Sequence, residues 1–162
     1  GVSRGRPTLR SITASTCAGR CVRNSVLVDT GIIVALLNMR DTHHQAITDL
    51  FIERDAGRGT PLVTTWPVIT EACSFLPDNR QGQVLDWVSD AGIGIVSIDE
   101  GLAFMRSQLA RYGDLPCDFA DASLLYAASV TGVREIWTLD RDFLVYRLPD
   151  RSRFVVIPGG RA

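Results

Sequence analysis

Between Ser25 and Leu37 the chain reads Ser-Val-Leu-Val-Asp-Thr-Gly and then Ile-Ile-Val-Ala-Leu-Leu. A short aliphatic run stops at a carboxylate, a hydroxyl and a glycine, and a second apolar run with no polar face follows at once. A buried parallel strand feeding a buried crossover helix has this form. Asp29 thereby falls at the carboxyl end of the strand, the side on which open parallel sheets hold their ligands.

The same punctuation recurs downstream. Asp41-Thr42-His43-His44 caps a second helix whose apolar stripe is Ala46, Ile47, Leu50 and Phe51. The two histidines point in different directions at a helix start and read as surface or capping residues. Leu62–Thr65 is a strand, and Pro67 opens a helix over Val68–Leu76, where its missing N–H costs nothing. A further helix carries Val84, Leu85, Trp87 and Val88; Gly94–Ile98 is a strand and Leu102–Leu109 a helix. After the turn Gly113–Pro116, Asp118 begins a helix so apolar that it must be sandwiched, and strands at Glu135–Leu139 and Arg153–Ile157 complete the pattern. Alternating strands and helices predict an α/β fold, a three-layer α/β/α sandwich on a mostly parallel sheet of about five strands.

Composition bounds the rest. The chain has 162 residues with 46% hydrophobic content, enough for one domain with a substantial core, and no apolar stretch approaches a membrane span. All seventeen basic residues are arginine. The absence of lysine removes a Walker-type phosphate loop and Schiff-base chemistry. Net charge is −1, but residues 1–28 hold five arginines and no acid, whereas residues 29–133 hold six arginines and fourteen acids. Such an acidic middle can hold cations while basic flanks grip phosphates. Residues 1–24 show no helical or strand period and read as a flexible basic extension ahead of a single domain at 25–162. Their composition would also suit an organellar transit peptide or an RNA-touching arm. A leader or a start placed too far upstream is the favoured reading. Cys17 and Cys21 lack a second ligand pair for zinc, and Cys73 and Cys117 sit in apolar contexts as small buried thiols of a reducing cytosol.

Acids recur at matching places in this scheme. Asp29 ends the first strand and Asp140 the fourth; Glu71 follows the second, flanked by Val68 and Phe75 on an apolar helix face; Asp118 and Asp121 share a face of the helix before the fourth. If the first and fourth strands are neighbours, Asp29 and Asp140 flank the topological switch point. Crowded carboxylates of this kind suit a hard divalent cation, which takes carboxylate, water and phosphate oxygens. Two such ions can activate water and stabilise the leaving oxygen of a phosphodiester. Thr30 and Thr138 are hydroxyls at the same strand ends, placed to orient a carboxylate or a water.

At these residues the chain resembles a known family. Val-Leu-Val-Asp29-Thr30, Glu71 in its apolar helix, Asp118-Phe-Ala-Asp121-Ala122-Ser and Thr138-Leu-Asp140-Arg-Asp142-Phe are together similar to the PIN domain, and within it to VapC-type toxins of type II toxin–antitoxin systems. The resemblance covers about residues 25–157. It implies a Mg²⁺- or Mn²⁺-dependent cytoplasmic endoribonuclease with an RNA substrate, a VapB-type antitoxin partner and, often, homodimers. It implies Asp29, Glu71, Asp121 and Asp140 as the catalytic acids, with Asp29 and Asp121 the firmest metal ligands and Asp118 and Asp142 as additional acids. The extension at 1–24 departs from the family pattern. A catalytically silent PIN-like module that binds RNA or protein is the alternative, and a metal-stabilised structural domain a third. An aspartate-nucleophile phosphatase would need an acid where Gly31 stands.

Overall fold

The computed structural model describes residues 11–12, 24–57 and 59–158. Six strands run through them: β1 (Ser11–Ile12), β2 (Val26–Val28), β3 (Leu62–Thr64), β4 (Gly94–Val96), β5 (Glu135–Trp137) and β6 (Val155–Ile157). They lie in the order β1-β4-β3-β2-β5-β6, and every pairing is parallel. Five are the strands expected from the sequence. The sixth, β1, adds Ser11 opposite Ile95 and Ile12 opposite Val96 at the sheet edge. Two residues are too few to show a strand period, so by sequence alone this segment merges into an aperiodic lead.

All three residues of β2, β3 and β4 are buried, as strands covered on both faces must be. The covering helices are α1 (Thr30–Leu37), α2 (His44–Ala56), α3 (Trp66–Phe75), α4 (Gln81–Asp90), α5 (Leu102–Arg111) and α6 (Phe119–Thr131). The first four lie in the connections β2→β3 and β3→β4, which step across the sheet in one direction. The last two lie in β4→β5, which steps back, so right-handed crossovers place them on the opposite face. Three layers result.

Helix α6 is the central one. Ten of its residues are buried, and it packs against both α3 and α5. It stops at Gly132, which adopts φ 73° and closes its N–H onto the Ala128 carbonyl. A left-handed cap of this kind favours glycine by roughly 1 kcal/mol. The core joins both faces through Leu27, Ile32, Ile33, Leu124, Ile136 and Phe143, each fully buried. Each such side chain stabilises the fold by about 1.5–3 kcal/mol relative to exposure. Cys73 and Cys117 are free and only half-buried, not core thiols, because they sit on helix α3 and the turn before α6 rather than inside the sheet.

Candidate functional site

The sheet order makes β2 and β5 neighbours, with Leu27 opposite Ile136 and Val28 opposite Trp137. From that pair the chain departs towards β3 on one side and β6 on the other, so the switch point lies at their carboxyl ends. Asp29 stands there, its N–H bound to the Trp137 carbonyl at 3.0 Å. It also caps α1: Oδ1 accepts the Thr30 N–H at 2.7 Å, and Oδ2 accepts the Thr138 hydroxyl at 2.6 Å. Asp29 is only 6% exposed, and burial raises its carboxyl to about 6 despite those two donors, with the charges of Asp140 and Asp118 adding to the rise.

Thr138 does double duty, since its oxygen also accepts the Asp140 N–H at 2.9 Å. Asp140 in turn takes the Asp142 N–H on Oδ1 at 2.9 Å, capping the short 3₁₀ turn Arg141–Leu144. Asp142 thus serves Asp140 through its backbone, and its side chain is not among those lining the cleft.

Thr30 donates its hydroxyl to Glu71 Oε2. Glu71 is half-buried, and burial raises its carboxyl; the Thr30 bond opposes this, while Asp118 and Asp29 reinforce it. The helix face carrying Glu71 is apolar on one side only. Val68 is fully buried, but Phe75 is 65% exposed and lines the cleft.

Asp118 and Asp121 divide their work in a way their spacing hides. They do not share a helix face: Asp118 is the N-cap of α6, in extended backbone, and Asp121 is the third helical residue. They form a reciprocal capping box, with the Asp121 N–H on Asp118 Oδ1 at 3.0 Å and the Asp118 N–H on Asp121 Oδ2 at 3.2 Å. Asp121 is 8% exposed and its carboxyl rises to about 7, by burial first and then by the charges of Asp118, Asp29 and Asp140. One residue that the sequence pattern does not single out joins it: Tyr146 donates its hydroxyl to Asp121 Oδ2 at 3.3 Å. Its only sequence signal is a hydroxyl-bearing ring in the apolar run after Asp142-Phe143.

Asp29, Glu71, Asp118, Asp121 and Asp140 line one cleft of about 530 Å³, together with Asp41, Thr30, Val34, Phe75, Pro116 and Leu139, and among the described residues no basic side chain lines it. Asp41, expected as a helix cap, does accept the His43 N–H, but it also reaches this wall. Among the described residues, no three His, Cys, Asp or Glu side chains are grouped tightly enough to cage an ion alone. The donor set is nevertheless all hard oxygen, and its acids raise one another's proton affinity, which a cation relieves. Such a set fits an ion held by one or two carboxylates with water completing its shell, the usual habit of Mg²⁺.

An acid-lined cleft at the switch point of a parallel α/β/α sandwich defines the class of protein. The PIN domain model matches residues 26–148, and the chain belongs to the PIN domain family. Its fold is similar to the crystal structure of Mycobacterium tuberculosis VapC20, a sarcin–ricin loop cleaving toxin, with a TM-score of 0.64 at 19% identity over 73% of this chain and 92% of that one. No curated protein sequence matches the chain. Among the described residues no helix is long and apolar enough to cross a membrane.

Proposed function

We propose that the chain is a divalent-metal-dependent endoribonuclease and the toxin of a type II toxin–antitoxin pair, cleaving RNA phosphodiester bonds in the cleft at the β2–β5 switch point. The observation that carries this reading is the convergence of Asp29, Glu71, Asp118, Asp121 and Asp140, from four segments of the chain, on one cleft that no basic side chain lines among the described residues. Membership of the PIN family and the likeness to a toxin that cleaves the sarcin–ricin loop support it.

Asp29 and Asp121 would hold the metal, with Asp140, Glu71 and Asp118 bound to its waters. Mg²⁺ or Mn²⁺, when bound, supplies an activated water and charge neutralisation at phosphorus and the leaving oxygen. The chain's own residues do the orienting. Thr138 and the Thr30 N–H fix both oxygens of Asp29, leaving each a lone pair for the cleft. Thr30 fixes Glu71 through Oε2, and the carboxylate would take the proton of the attacking water. Beside the cleft a second hollow of about 570 Å³ shares Glu71 and Asp118 and is flanked by the half-exposed rings of Trp66 and Phe119. Exposed rings of this kind stack unpaired bases. A small VapB-like antitoxin would inhibit by inserting a basic side chain among the acids, displacing the ion by charge compensation. A homodimer and a cytoplasmic location accompany this reading.

The test is expression of the chain alone and with Asp29→Ala in a bacterial host, alongside RNA integrity. Growth arrest with RNA cleavage by the first and neither by the second supports the reading. Equal arrest by both, with RNA intact, contradicts it.

A further inference from the structure

Tyr146 has no exposed surface, although it carries a hydroxyl. Burying a phenol oxygen is costly unless it is hydrogen-bonded. Its ring is fixed on two sides, by Tyr112 at 4.8 Å between centroids and by Phe143 edge-on at 5.1 Å. Those contacts use only the ring, and a phenylalanine would make them equally well. The hydroxyl does something the ring cannot. It reaches Asp121 Oδ2 at 3.3 Å. A phenol hydroxyl carries its proton at neutral pH and so can donate here. Oδ2 also receives the Asp118 N–H at 3.2 Å. Two donors from different segments, one at the C-terminal end of the 3₁₀ turn and one at the start of α6, therefore converge on the same oxygen.

We propose that Tyr146 is a positioning residue, whose hydroxyl, with the Asp118 N–H, holds Asp121 Oδ2 so that the carboxylate meets a divalent cation through Oδ1 alone. The inference rests on the cleft being a divalent-cation site. A carboxylate ordered before the ion arrives loses less freedom on binding, and one held by a single oxygen leaves coordination positions for water and phosphate. Tyr146 touches neither ion nor substrate and acts only through Asp121. Partners of metal ligands at this remove typically contribute 10–100-fold to affinity.

The experiment is a calorimetric titration of Mn²⁺ into the wild-type chain, Tyr146→Phe, Tyr112→Phe and Asp29→Ala, with a metal-free melt of each. Tyr146→Phe removes one oxygen and keeps the ring. It should weaken Mn²⁺ binding roughly tenfold, and raising Mn²⁺ should restore most of the cleavage rate. Tyr112→Phe, which keeps the neighbouring ring and removes a hydroxyl that accepts the Arg147 N–H rather than one that reaches Asp121, should bind as wild type. Unchanged affinity in Tyr146→Phe overturns the inference, as does an equal loss in Tyr112→Phe. Should the wild type bind no Mn²⁺ that Asp29→Ala abolishes, the cation reading of the cleft itself fails, and the inference with it. A second measurement needs no variant: Mg²⁺ added to ¹³C-tyrosine-labelled wild type should move the Tyr146 ring resonance and leave that of Tyr126 in place. A Tyr146 signal that stays still while Mg²⁺ binds also overturns it.

Discussion

Thr138 and Asp29 are 109 residues apart in sequence, yet the Thr138 hydroxyl donates to Asp29 Oδ2 at 2.6 Å. The bond ties the end of β5 to the end of β2 at the one place where the sheet changes direction. It also gives a buried carboxylate one of its two donors, the other being the Thr30 N–H that starts α1.

Replacing Thr138 by valine keeps the shape and deletes that donor. It also removes the acceptor for the Asp140 N–H. A buried carboxylate left short of a donor costs about 1–3 kcal/mol, and more when ionised. The metal-free melting temperature should therefore fall at pH 8 by more than at pH 4, where Asp29 is protonated. Equal losses at the two pH values would mean that Thr138 acts only by packing.

The pH dependence of the metal-free fold follows from the two raised acids. Asp29 titrates near 6 and Asp121 near 7 in the folded chain, both from 3.8 when unfolded. A carboxyl raised in this way favours the fold in acid, and that contribution is lost as pH climbs through the folded value. The two acids cost the ionised fold on the order of 3–4 kcal/mol each. In EDTA the melting temperature should fall between pH 4 and pH 8, and saturating Mg²⁺ should flatten the fall. A metal-free fold that gains stability over this range would contradict the assignment.

Asp118 and Asp121 separate experimentally. Asparagine is a good N-cap, so Asp118→Asn keeps the cap on α6 and removes only charge. It should give a partial loss of cleavage that higher Mg²⁺ largely restores. Asp121→Asn removes the deeper carboxylate and should abolish cleavage and sharply weaken Mn²⁺ binding. In EDTA at pH 8 it should leave the melt unchanged or raise it, by relieving repulsion from Asp29, Asp118 and Asp140. Melts and cleavage assays run together decide the matter; a dead Asp118→Asn with a metal-rescued Asp121→Asn would reverse the two roles.

The strand-end acids are legible in the sequence because strand and helix periods locate Asp29 and Asp140 without knowledge of packing. Three features are not. The spacing of Asp118 and Asp121 suggests a shared helix face, but an N-cap leaves helical backbone, and only the reciprocal bonds reveal the division. Phe75 follows the apolar period of α3 yet is exposed, and which apolar position faces solvent is a tertiary matter. Tyr146 has no periodic signal, because its value lies in one oxygen pointed at a residue 25 positions away. In each case the missing information is direction, which linear spacing does not carry.

The N-terminal lead gains a definite expectation from β1. Deleting residues 1–24 removes the strand that pairs Ser11 and Ile12 with β4 and leaves that sheet edge open. Cleavage should survive, since β4 is two strands from the β2–β5 pair. Self-association, read by light scattering, should rise. Loss of folding instead would place the lead within the domain.

The central claim is that the acids at the switch point act through a divalent cation on RNA. Cleavage of total RNA by the purified chain, beside Asp29→Ala, with Mg²⁺, with Mn²⁺ and with EDTA, tests it most directly. Fragments are expected with either ion, none with EDTA, and none from Asp29→Ala under any condition. Undiminished cleavage in EDTA, or full activity in Asp29→Ala, would contradict it.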